Sequence, residues 1–372
     1  MERNIRRNYG IDFLRVISTF MIVILHILGN GSVLNHTVSL TLSGELLWAI
    51  KILSLCAVDC YALISGYVGI NKKHKYKNII SLSLQVSFYA VIITGVEVFI
   101  AFISGNPLSL KTLIFHLLPS IKNYWYFSAY FCLYFLMPVL DHIVDAAPRD
   151  LLKRTTIFIL LVFCCLTQFG ETVSGLREGY SVFWLSILYV AGRYIAKYDV
   201  LRNLSIKKSI YGYLICCAIM LICKIAIYCI TSSLFGYPVG FGLLITYTAP
   251  TTVLSAIFLL SAFSKLSISN RLSKAIAFVA PTCFGIYIVH CHPYLLQIMT
   301  GRFAWISTLP FYLAVPALAV CGAAVFLISM VIDRLRMSLF RVCHIDKLSL
   351  HIEQVCGRVV NWISHLLHCH VD

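Results

Sequence analysis

The sequence predicts an all-α protein, a polytopic membrane helix bundle with about ten transmembrane helices. Three observations predict it. The chain of 372 residues is 60% hydrophobic and only 12% charged, with a mean hydropathy of +0.87, which no soluble domain of this length matches. Its apolar stretches are long enough to cross a ~30 Å hydrocarbon core at 1.5 Å rise per residue. Its Lys and Arg residues concentrate in alternate loops. The N-terminal segment and the loops after spans two, four, six, eight and ten hold 3, 4, 3, 4, 3 and 5 of them, against Lys111, Lys122, Arg177 and Arg302 in the opposite loops. By the positive-inside rule both termini are cytoplasmic and the spans are even in number. The net charge of +15 is thus a signature of topology and of attraction to anionic lipid heads, which excludes a nucleic-acid partner. Fifteen cysteines lie mostly inside apolar runs, as in Cys164-Cys165 and Cys216-Cys217, where they act as small hydrophobes.

The first span, Ile11 to Asn30, follows the basic segment MERNIRRNYG and is too long for a signal-peptide core, so it is expected to stay in the mature chain. It carries Asp12, Arg15 and His26. Arg15 and His26 are eleven positions apart, three turns plus about 20°, so they share one face about 16 Å apart along the axis. Asp12 sits on the same side, three residues before Arg15. Ionisable groups inside a span face the protein interior or a wet cavity and mark function by default. A snorkelling Arg15 and a His26 bonded to a neighbouring helix are the plain alternative.

The second span, Glu45 to Ile70, contains Asp59 in its interior and ends on Ser65-Gly66, which permits close helix approach. Its basic loop leads to span three, Ile79 to Ser104. Span four opens on Tyr124-Trp125-Tyr126-Phe127, an interfacial belt by composition, and runs to Val144. A charged turn, Asp145 to Arg154, precedes span five, which ends at Phe169. Span six, Tyr180 to Ala196, carries Arg193; span seven, Ser209 to Leu234, carries Lys224, which is expected to snorkel outward. Span eight is Phe241 to Phe263, span nine Ala275 to Met299 with His290 in its outer half, and span ten Ile306 to Ile332. Residues 1–335 form one membrane domain, and 336–372 an amphipathic cytoplasmic tail lying on the inner leaflet. The tail's Cys343, His344, Cys356, His365, His368, Cys369 and His370 match no zinc spacing, so no metal is expected.

Four strings, in order, resemble acyltransferase family 3, whose members O-acylate surface sugars in bacteria. They are Arg15 and His26 with ten residues between them, Asp59 to Gly66, Trp125 to Pro138, and the Gly-x-Tyr-x-x-His of Gly285 to His290. The resemblance spans about residues 9 to 335. No esterase-like or racemase-like domain follows span ten, so the chain itself gives no clue to the acceptor.

The resemblance implies an integral membrane O-acyltransferase in the bacterial inner membrane. It would move an acyl group, usually acetyl, from cytoplasmic acyl-CoA to a hydroxyl of a surface glycan or glycolipid, with no tightly bound cofactor. Arg15, helped by Arg193, suits the CoA phosphates, because guanidinium grips phosphate in a fork. His26 suits a general base or a transient acyl carrier. Asp12 would orient Arg15. Asp59 and His290 would either share protons with His26 or form interhelical hydrogen bonds. Ser65 and Trp125 complete the candidate substrate-binding set, Trp125 as belt residue or sugar platform. A secondary transporter or flippase for a glycan precursor is the rival reading. It would use inward-facing polar groups equally well, but no inverted repeat supports it. Oligomeric state is not legible.

Overall fold

The computed structural model describes residues 7–70, 74–118, 124–168 and 175–368, with side chains through 362. It is 80% helical, with no strand among the described residues. The helices, in chain order, are α1 (Tyr9–Leu28), α2 (Leu42–Leu55), α3 (Ala57–Gly69), α4 (Tyr76–Ile103), α5 (Leu110–Leu117), α6 (Trp125–Ala146), α7 (Arg149–Gln168) and α8 (Val182–Lys197). They continue with α9 (Ile206–Phe235), α10 (Pro250–Ser264), α11 (Asn270–Val279), α12 (Cys283–His290), α13 (Pro293–Met299), α14 (Phe311–Val342) and α15 (Ile345–His368).

Among the described residues, seven helices or helix pairs are long and apolar enough to cross a membrane: α1, α2–α3, α4, α6, α9, α11–α12 and α14. The other three expected spans correspond to α7, α8 and α10. α7 carries Arg149, Asp150, Lys153 and Arg154 in its first six residues. α8 and α10 have only 16 and 15 residues, about 24 and 22 Å.

Capping sets several helix starts. The Asn8 side chain accepts from the backbone N–H groups of Gly10 and Ile11, and those of Thr41, Ser181, Ser205 and Ser269 cap α2, α8, α9 and α11. α10 begins at Pro250 rather than Phe241, because turns closed by Leu243 N–H on the Gly240 carbonyl, Ile245 N–H on that of Gly242 and Ala249 N–H on that of Thr246 occupy the preceding stretch. Span nine is not one rod to Met299. A 3₁₀ turn, Ala280–Thr282, interrupts it at Pro281, and His292-Pro293 starts the separate short α13. α14 runs ten residues past the expected end at Ile332, since Asp333 is anchored inside the bundle by Gln85, Tyr89 and Arg336. α15 lies against α4 and α14; its Cys369 and His370 neighbours, and the His365 and His368 side chains, fall outside the described residues.

The core is centred on α1, α3, α8 and α10, with α3 and α8 in the closest contact. A Cβ on Gly66 would overlap the Tyr189 carbonyl, and one on Gly192 the Leu63 carbonyl. Small residues bring these backbones together in the way that drives helix association in lipid. Lys224 does not snorkel. Its side chain is fully buried and its Nζ lies 2.5 Å from Glu45 Oε1, because α9 packs on α2, which supplies a carboxylate within reach. All described cysteines are free.

Candidate active site

α1 carries the site along one face. Near its start, Asp12 is held between two guanidiniums: Arg15 Nη1 lies 2.7 Å from Oδ1 and Arg7 Nε 2.5 Å from Oδ2. Near its far end His26 meets α12, where His26 Nδ1 lies 2.8 Å from His290 Nε2. Between them opens a cavity of about 220 Å³, lined by both Arg15 and His26 and otherwise largely aromatic: Tyr61, Trp125, Tyr126, Tyr130, Tyr247 and Tyr287. A second cavity, about 450 Å³, extends from His26 toward the other end of α1, past Gly29, Asn30, Lys51 and Glu178. The two share Leu25, His26, Trp125, Tyr247 and Tyr287, so His26 stands at their junction.

The hydrogen bonds fix the protonation pattern of the His pair. His290 Nδ1 lies 2.5 Å from the Ile286 carbonyl oxygen, one helical turn back. A carbonyl only accepts, so Nδ1 carries the proton, and in neutral His290 Nε2 has the lone pair. His26 Nδ1–H must then donate to it. His26 Nε2 is left with a lone pair and no partner among the described residues. A ring nitrogen oriented through its opposite edge is the arrangement of a general base with a positioning partner.

Cys291 Sγ lies 3.4 Å from His26 Nδ1 and 3.5 Å from His290 Nε2. The three groups offer ligand atoms within 4.8 Å of one another. Two nitrogens each ~2.0 Å from a tetrahedral zinc would sit about 3.3 Å apart; at 2.8 Å this pair is hydrogen-bonded. Because His26 Nδ1 already donates to His290, it is no base for the thiol.

The other sequence candidates divide. Ser65 and Trp125 line the first cavity, and Trp125 lines the second as well. Its ring packs on Tyr180 at 4.6 Å and Tyr247 at 6.2 Å between centroids. Asp59 is fully buried but does not reach His26; its Oδ1 accepts from Trp184 Nε1 at 3.2 Å. Arg193 lies away from both cavities, its Nε 3.0 Å from Asp141 and its Nη2 2.9 Å from Asp145. The sequence assigned no role to four lining residues, although Tyr61 and Tyr287 fall inside the Asp59–Gly66 and Gly285–His290 strings. Tyr61 stands one turn before Ser65 on the same face, a spacing that could have marked it. Tyr247 lies in irregular chain, where no periodicity points inward. Lys51 is a lone cation within span two, and Tyr287 has a buried hydroxyl with no hydrogen-bond partner.

Searches of the curated proteins and of the solved structures returned no match. Residues 8–334 match the acyltransferase domain of acyltransferase family 3. That range holds the whole Arg15–His26–His290 constellation, and the chain belongs to this family, as a membrane-embedded acyltransferase.

Proposed function

We propose that the protein transfers an acyl group, acetyl in the first instance, from acyl-CoA to a hydroxyl of a surface glycan or glycolipid. On this reading it sits in the bacterial cell membrane with both termini cytoplasmic. The single observation that carries it is the pair of cavities meeting at His26, with a guanidinium in one and an unpartnered ring nitrogen at the junction.

The donor enters at the Arg15 end. Arg15 spends one nitrogen on Asp12, which fixes the guanidinium plane, and turns the rest of its fork to the CoA phosphates. The pantetheine arm follows α1 along the first cavity, over about 16 Å, to the junction. The acceptor enters from the Lys51 side. His26 Nε2 takes the proton of its hydroxyl as the oxygen attacks the thioester carbonyl. The tetrahedral intermediate collapses with cleavage of the C–S bond, and His26 returns the proton to the departing CoA sulfur. Ester and free CoA thiol are the products, and no other reactant is consumed. Throughout, His290 Nε2 accepts from His26 Nδ1 and steadies the imidazolium. The unpartnered Tyr287 hydroxyl is the donor assigned to the developing oxyanion.

The test is acyl-CoA titration into purified protein. Arg15→Ala should weaken binding about 10- to 100-fold, as expected for lost hydrogen bonds to a charged group. Arg15→Lys keeps the charge but loses the fork, and should fall between the two. Unchanged affinity in both variants removes Arg15 from the donor site. A carrier for a glycan precursor would bind no acyl-CoA at all.

A further inference from the structure

The second cavity carries a charge that acyl transfer from CoA does not need. Lys51, on α2, lines it together with His26. The Lys51 ammonium sits 4.5 Å from the centre of the Trp48 ring, and it has no hydrogen bond or ion pair among the described residues. The nearest carboxylate on its own helix is already taken, since Glu45 pairs with Lys224 at 2.5 Å. Lys224 lies over the same Trp48 ring, at 5.2 Å. Two ammoniums thus lie against one indole, and of the two only Lys224 has a carboxylate partner among the described residues. Glu178 lines the cavity too, but it forms no ion pair with Lys51. An ammonium inside a bundle without a counter-ion is costly unless something pairs with it.

Beside this charge stands an aromatic wall. Trp125, Tyr180 and Tyr247 pack on one another with centroids 4.6 to 6.2 Å apart, and all three line the same cavity. Flat amphipathic rings next to a fixed cation suit a ligand with an apolar C–H face and an anionic substituent.

We propose that the acceptor is an anionic sugar, carrying a carboxylate or a phosphate, whose charge pairs with Lys51 while its ring lies on the Trp125–Tyr180–Tyr247 wall. The proposal rests on the reading of this cavity as the acceptor site. Pairing with the half-buried Lys51 is stronger than at a fully exposed surface, so the charge selects the acceptor as well as holding it.

The test uses purified protein and three probes: methyl glucoside, methyl glucuronide and methyl glucoside 6-phosphate. Both equilibrium binding and acetyl transfer from acetyl-CoA are read. Wild type should bind one or both anionic glycosides about 10- to 100-fold more tightly than methyl glucoside. Whichever is preferred distinguishes carboxylate from phosphate. Lys51→Met should erase the preference and Lys51→Arg should retain most of it, with acetyl-CoA affinity as the check that each variant is folded. The proposal is overturned if neither anionic glycoside binds more tightly than the neutral one, or if Lys51→Met keeps the preference. Lys51-dependent binding without any acetyl transfer would instead count against the acceptor reading of the cavity and leave the anion site standing. Equal transfer to neutral and charged glycosides would do the reverse.

Discussion

Replacing His26 with alanine is expected to reduce acyl transfer by about 10²- to 10⁴-fold, the usual loss when a general acid–base group is removed, or about 3 to 5 kcal/mol of barrier. His26 is the one imidazole shared by the two cavities, and its Nε2 has no competing partner among the described residues. The variant should still insert in the membrane and bind acyl-CoA, because Arg15 stands three turns away and keeps Asp12. Glutamine separates chemistry from packing. Its amide can donate to His290 Nε2 but cannot take up a proton, so His26→Gln should be as inactive as the alanine variant. Substantial transfer by His26→Gln, read as acetylated product per enzyme over time, would make His26 a packing residue.

The largest loss of stability is expected at the α3–α8 contact. A methyl added at Gly66 or Gly192 meets a backbone carbonyl of the facing helix, Tyr189 or Leu63, and a carbonyl cannot turn aside as a side chain can. The two helices must separate, and overpacking of a close contact typically costs about 1 to 3 kcal/mol. The double variant Gly66→Ala, Gly192→Ala should therefore lower the unfolding temperature in detergent by several degrees. It should also depress donor binding, because Ser65 and Tyr61 on α3 line the first cavity. An unchanged melting curve would mean that α3 and α8 are not held at this distance.

The sequence made some of this site visible and hid the rest. Arg15 and His26 were legible because one helix carries both, and helical periodicity alone puts them on one face. Ser65-Gly66 was legible as a close approach for the same local reason. The His26–His290 hydrogen bond joins residues 264 positions apart, and no spacing rule reaches that far. Asp59 and Arg193 looked like site residues because buried charge in a span usually is. Both instead meet structural partners on other helices. Trp184 donates to Asp59, and Arg193 lies against Asp141 and Asp145, a pair one turn apart on α6. Lys51 and Lys224 were indistinguishable as lone intramembrane lysines. Only tertiary contact shows that Lys224 has Glu45 while Lys51 opens on a cavity. The fold class followed from composition, but helix ends did not always follow hydropathy. Phe241 to Ala249 is apolar enough to be read as helix, yet its glycine turns instead bring Tyr247 against Trp125 and Tyr180.

A structure of the protein bound to a non-hydrolysable acetyl-CoA analogue would show whether the donor lies along α1 with its thioester at His26. The CoA phosphates are expected at Arg15, the pantetheine arm in the cavity between Arg15 and His26, and the carbonyl carbon within about 3.5 Å of where a hydroxyl bound to His26 Nε2 would sit. Phosphates resting on Lys51, or an arm running outside that cavity, would remove the donor from α1.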